Sequence, residues 1–186
     1  MSQQSELAFF VRGFGCALFC FMESFARYTM LDIFTVSFFG HREVDHFRDV
    51  EKQMELLIFK LVEEKDYMDF LVGRNGDFDQ IAASAVRRAK EYYPSKCSLI
   101  WVMPYNMAEY RENMKAYDQY YDEVEICPES DGAHPKAAFQ IRNCSMVDRS
   151  DLVIFYVTHV HGGAYQTMQY AKRIGKDIIN IAELLG

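Results

Sequence analysis

The 186-residue sequence contains no Cys-x-x-Cys pair: its five cysteines, Cys16, Cys20, Cys97, Cys127 and Cys144, are scattered and odd in number. That distribution argues against a disulfide framework and against a zinc site, and predicts reduced thiols in a cytoplasmic protein. Cys97, Cys127 and Cys144 are expected as small buried apolar residues. Basic charge is short as well. Lys and Arg number 20 against 27 Asp and Glu, a formal net charge of -7. A general nucleic-acid surface needs the opposite balance, so the charge argues against nucleic acid as a partner. It leaves room for one phosphate pocket in which a few arginines dominate locally. No low-complexity tract, internal repeat or interdomain linker interrupts the chain.

Long apolar runs are missing too. Residues 7–22 (LAFFVRGFGCALFCFM) fall short of the roughly 20 residues a spanning helix needs, and Arg12 interrupts them. Glu6 is the only charge ahead of this run, so the basic flank of a secretory signal is absent. Residues 1–30 are therefore expected to be an N-terminal extension outside the domain, and residues 31–186 the domain itself. Membrane association of residues 7–22 is the alternative, because the segment is rich in aromatics that would otherwise face water. Elsewhere a membrane is not expected.

What is present is a globular composition, with half the residues apolar and 15% aromatic. From Leu31 onward, strand-like and helix-like patterns alternate. Leu31–Phe39, Tyr67–Val72, Cys97–Met103, Glu123–Cys127, Leu152–Val157 and Ile178–Ile181 read as strands. Between them Val44–Lys65 places Val50, Met54, Leu57, Ile58 and Leu61 at helical spacing. Phe78–Tyr93 does the same with Ile81, Ala82, Ala85, Val86 and Ala89, and Pro94 stops it. Asn106–Tyr121 reads as a partly exposed helix or loop, and Pro135–Arg149 and Gly163–Ile174 as further helices. Such alternation predicts an α/β fold: one Rossmann-like, doubly wound, mainly parallel sheet with helices on both faces.

Three of the strands run into glycine-bearing polar loops and then helices. The loops are Gly40-His41-Arg42, Gly73 to Asp79, and His161-Gly162-Gly163. A strand–loop–helix unit directs backbone N–H groups and a positive helix end to the carboxyl edge of the sheet, where a phosphate group is favoured. Gly40, Gly73, Asn75, Gly76, Gly162 and Gly163 are the candidate cradle, though each glycine pair is also an ordinary tight turn. Arg42 is placed for a bidentate phosphate contact, with His41 donating beside it. Asp79 has two equal readings, a helix cap or a partner for a ribose hydroxyl. His159 and His161 lack a third ligand of matching spacing, so no metal is expected. Tyr105 is a candidate for stacking on a base, with packing as the rival reading.

The blocks TVSFFGHR (Thr35–Arg42), GRNGDFDQIAA (Gly73–Ala83) and Ile141–Ala182 resemble the SLOG superfamily, which joins the DNA-processing protein DprA with the Lonely Guy phosphoribohydrolases. The nearest resemblance is to small standalone bacterial proteins similar to YpsA. It covers about Leu31 to Leu185 and is weakest over Tyr105–Cys127. It implies a nucleotide-derived ligand at the strand ends and a homodimer. Arg142-Asn143-Cys144-Ser145-Met146 resembles the Arg-Lys-x-x-Met stretch of the hydrolases and places Arg142 in the pocket; the loop after Gly162-Gly163 brings Thr167 with it. Gln169 stands where the hydrolases carry their catalytic glutamate, and a glutamine neither holds the charge nor acts as a base.

The expectation from the sequence is thus a protein that binds a nucleotide or an ADP-ribose-like derivative, a sensor or regulatory module without a cofactor. A nucleoside 5′-monophosphate N-glycosidase is one alternative, with Asp79 in the missing carboxylate role. Single-stranded DNA binding of the DprA type is the other.

Overall fold

Six parallel strands form the sheet, in the order β4-β3-β2-β1-β5-β6. The computed structural model describes residues 32–130 and 132–185, so the expectations for residues 1–30, and for 7–22 within them, lie outside the described residues. The strands are β1 (Ile33–Gly40), β2 (Tyr67–Val72), β3 (Cys97–Met103), β4 (Glu123–Ile126), β5 (Leu152–Tyr156) and β6 (Asp177–Asn180). The helices are α1 (Phe47–Glu64), α2 (Asp77–Tyr92), α3 (Ala108–Tyr120), α4 (Pro135–Arg149), α5 (Gly163–Arg173) and the short α6 (Ile181–Leu184). The doubly wound, parallel α/β architecture is therefore as the sequence pattern predicts.

Strand residues alternate between two apolar layers, since successive side chains leave opposite faces of a strand. Val36, Phe38, Phe70, Val72, Leu99 and Trp101 join one core with the buried faces of α1 and α2. Phe39, Leu71, Ile100, Val102, Val153 and Phe155 join the other with α4 and α5. The small-residue face of α2 (Ala82, Ala83, Ala85 and Ala89, all buried) lets that helix lie close to the sheet. In α1 the buried stripe is Val50, Met54, Ile58 and Val62, a strict spacing of four along one helix face. Leu57 and Leu61, expected in that stripe, are only partly buried beside it.

Lys96 donates to the carbonyls of Val62 (2.9 Å) and Lys65 (3.0 Å), placing a cation at the carboxyl end of α1. Helix α3 differs from the rest, with no buried residue. Its Tyr110 and Tyr117 lie edge-on to Trp101, with ring centroids 5.8 and 5.0 Å away, and form a half-buried cover over that end of the sheet. Among the described residues no helix is long and apolar enough to cross a membrane.

The strand order matters for the site. From β1 the chain first winds outward through β2, β3 and β4, then returns to place β5 on the other side of β1. The loops after β1 and β5 consequently diverge to opposite faces and leave a crevice at the carboxyl ends of these strands, where ligands bind in open α/β sheets.

Candidate functional site

A cavity of about 400 Å³ occupies this crevice, lined by Phe39, Gly40, His41, Arg42, Asn75, Gly76, Asp79, Phe139, Arg142, Asn143, Gly162, Gly163 and Ala164. The structure thus brings together residues from all three glycine loops and from α4. Of the residues proposed from the sequence to hold the ligand, Gly73, Thr167 and the stacking candidate Tyr105 are not in the lining. The Thr167 side chain is buried and donates to the carbonyl of Gly163 at 2.9 Å, while Asn143 donates to its hydroxyl at 3.1 Å. It fixes the first turn of α5 from behind the cavity wall. Gln169 is exposed on α5 and does not line the cavity.

The glycines divide into two kinds. A β-carbon at Gly40 would overlap the ring of Phe78, which is buried, and one at Gly76 would run into the backbone of Arg42. These two positions hold the first two loops together: the N–H of Asp77 donates to the Arg42 carbonyl at 2.8 Å. A β-carbon at Gly73 would stand 2.8 Å from a terminal nitrogen of Arg142 and 2.9 Å from a carboxylate oxygen of Asp79. Gly162 and Gly163 meet nothing within 4 Å, and Gly162 has φ 90°, a left-handed conformation that favours glycine. Gly163 opens α5 and lines the cavity, so the helix end that carries free N–H groups lies at the cavity wall.

Arg142 is the principal charge of the site. Only 4% of it is exposed, and its Nε has no hydrogen-bond partner. A terminal nitrogen reaches the Met146 sulfur at 3.4 Å, a weak acceptor for a full cation. Among the described residues Arg142 makes no ion pair. Burial pushes its pKa down, and the charge of Asp79 opposes that shift. Burial pushes the Asp79 carboxyl up, against the Asn75 N–H and the charge of Arg142. One oxygen of Asp79 accepts the N–H of Asn75 at 2.7 Å, so the residue does act as a local loop cap. A buried cation with spare donors is costly unless something anionic completes it.

His41 reaches across the crevice. Its N–H donates to the Tyr156 carbonyl at 3.2 Å, and its ring Nε2 accepts the Thr158 N–H at 3.1 Å. Its ring stacks on His159 with centroids 3.5 Å apart and planes 6° from parallel; His161 follows at 4.0 Å from His159. No group of His, Cys, Asp and Glu suited to a metal ion occurs among the described residues. Phe139 was not singled out in the sequence. It stands three residues before Arg142 on α4, and that helical spacing is the signal that would have found it. The Arg142 guanidinium lies 5.8 Å from its ring centre, and Tyr105, one-third exposed, meets the ring edge-on at 6.0 Å.

No protein-family model and no curated protein matches the chain. Solved structures do. DNA processing protein A (DprA) from Streptococcus pneumoniae superposes with a TM-score of 0.59 at 19% identity, over 80% of this chain and 50% of that one. DprA from Helicobacter pylori superposes with a TM-score of 0.57 at 17% identity, over 78% of this chain and 63% of that one. This chain therefore spans between half and two thirds of those proteins. The likeness establishes the Rossmann-like fold.

One expectation falls here. The charge of -7 argues against nucleic acid as a partner, yet the Helicobacter pylori protein of this fold has a unique single-stranded DNA binding mode. Net charge sums over the whole surface, whereas a strand or a phosphate responds to the local field in a cleft.

Proposed function

We propose that this chain binds a nucleotide unit, with its phosphate held between Arg142, Arg42 and the Gly162-Gly163 end of α5. The observation that carries the reading is Arg142: a cation 4% exposed, with an unpartnered Nε, on the wall of an open cavity. A phosphate oxygen would complete its donors and offset its burial. The cavity volume of about 400 Å³ suits one such unit. Phe139 on the cavity wall, with Tyr105 edge-on to it, offers the aromatic surface that base stacking requires.

Two forms of the ligand follow from different observations. The fold shared with DprA favours a nucleotide presented by single-stranded DNA. A crevice of this size favours a free nucleotide or an ADP-ribose-like derivative, read by a sensor or regulatory module. Residues 31–186 are the unit proposed to do this. The closer likeness to YpsA-type bacterial proteins, and a cytoplasmic setting, belong to the same proposal and rest on the sequence blocks.

The test is binding by the full chain to AMP, ADP-ribose, NAD, cyclic ADP-ribose and an oligothymidylate at about 50 and 200 mM salt. Retention of the oligonucleotide that weakens with salt supports the DNA form. A melting shift of several degrees with a free nucleotide supports the second form. Neither response in any sample would contradict the reading.

A further inference from the structure

The segment between β5 and α5 is held at its start and open at its end. Val157 is fixed by Asn180, whose side chain accepts the Val157 N–H and donates to its carbonyl, each at 3.0 Å. Thr158 is fixed through its N–H, which His41 accepts at 3.1 Å across 117 positions of sequence. From His159 to Gly162 the residues are exposed, and Gly163 then opens α5. The His41 ring is thus the last tether before the glycines that face the cavity.

An imidazole nitrogen that accepts an N–H cannot carry a proton, so Nε2 is bare and the His41 proton sits on Nδ1. Protonating His41 puts two donors head to head, and the contact with Thr158 is lost. It also places a cation face to face with the ring of His159 at 3.5 Å. The groups around His41 are Arg42 on its own loop, Tyr156 edge-on from β5 at 6.4 Å, and His159 and His161 from the loop after β5. Burial, and then the charges of His159 and His161, push its pKa below the ordinary value.

We infer that His41 is a proton-controlled latch: neutral, it holds Thr158 and keeps the Gly162-Gly163 loop against the cavity, and protonated, it lets that loop go. The consequence for ligand rests on the phosphate reading above; the latch itself does not. Acidification releases the loop and weakens phosphate binding. An anion that merely attracted a charged histidine would give the opposite slope.

The test uses the full chain and two readouts. The first is the amide signal and hydrogen-exchange protection of Thr158 followed by NMR between pH 5 and 8. The second is the affinity for oligothymidylate, AMP and ADP-ribose, whose change with pH is compared between the wild type and His41→Gln. Wild-type Thr158 is expected to lose protection as pH falls below about 6.5, the reference histidine value. Probe affinity is expected to drop by up to about tenfold between pH 7.5 and 5.5, the limit for one linked proton that titrates at the reference value once the loop is released. His41→Gln, which keeps an acceptor and cannot titrate, should flatten both. His159→Ala, which removes the stacked ring, should move the Thr158 midpoint upward.

A Thr158 amide indifferent to pH, or affinity that rises on acidification, overturns the latch. A Thr158 amide that titrates while no probe binds at any pH overturns the phosphate reading and supports the latch alone.

Discussion

Gly73 and Arg142 share one space: a β-carbon on the glycine would stand 2.8 Å from a terminal nitrogen of the arginine. Gly73 is thereby explained by a side chain 69 positions away rather than by a turn. The absence of a side chain lets the guanidinium lie over the end of β2 on the cavity wall, with Asp79 on the other side of the same gap.

That relationship separates binding from stability. In Gly73→Ala the atoms in the way are the far ends of Arg142 and Asp79, which swing aside, so the stability change should stay within about 1 kcal/mol. Displacing Arg142 should weaken nucleotide binding at least about tenfold. Gly40→Ala is the contrast, because its β-carbon meets the buried Phe78 ring. It should cost about 1–3 kcal/mol in overpacking. Urea unfolding of the two variants, beside binding of the Gly73 variant, checks both.

Arg142→Met should behave in an unusual way. It removes a buried cation that has no ion pair and fills the site with an unbranched apolar chain. Relief of the burial cost is set against the loss of the one charge that opposes the upward shift of Asp79, so stability should change by no more than about 1 kcal/mol. Ligand binding should be lost in the same variant. A melting temperature that falls by several degrees would mean Arg142 is structural.

Stability should decline with acidity. His41 has a folded pKa below its unfolded value, so the unfolded chain binds more protons and stability rises with pH. The contribution is present above about 6.5, the reference histidine value, and is lost as pH falls through the lower folded value. His41→Gln should remove that part of the dependence. The urea midpoints of both proteins at pH 5.5 and 7.5 give the comparison.

No nucleotide should be cleaved. Gln169 is exposed and outside the cavity lining, and Asp79 spends one oxygen on the Asn75 N–H. Chromatography after incubation with the nucleotide panel should return each compound intact. Free base and ribose phosphate would instead assign Asp79 the missing carboxylate role.

Much of the fold was legible because punctuation and period agreed. Tyr67–Val72, Cys97–Met103 and Pro135–Arg149 have the bounds their sequences suggest, the last opening on a proline at its first helical position. The carboxyl end was harder. Ile181 reads as strand, yet the chain turns there into α6, because a run as short as Ile178–Ile181, three isoleucines around Asn180, fits a strand or a helical turn equally. Helix α3 was ambiguous for a physical reason: its tyrosines cover Trp101 from the side and none is buried, so no clean stripe forms.

The site was legible in its loops and less so in its logic. Gly40, Gly73 and Gly76 read as phosphate-loop residues, whereas their surroundings give each a steric reason from another segment. Such pairings with Phe78, Arg142 and Arg42 leave no local trace. Arg142 became visible through a resemblance, and its burial only through the fold.

The most direct test of the account is calorimetric titration of the wild type and Arg142→Met with oligothymidylate and with ADP-ribose at pH 7.5, beside their melting curves. The account predicts saturable binding of at least one probe by the wild type and none by a fully folded variant. Binding of equal strength in both would contradict the assignment of the phosphate to Arg142.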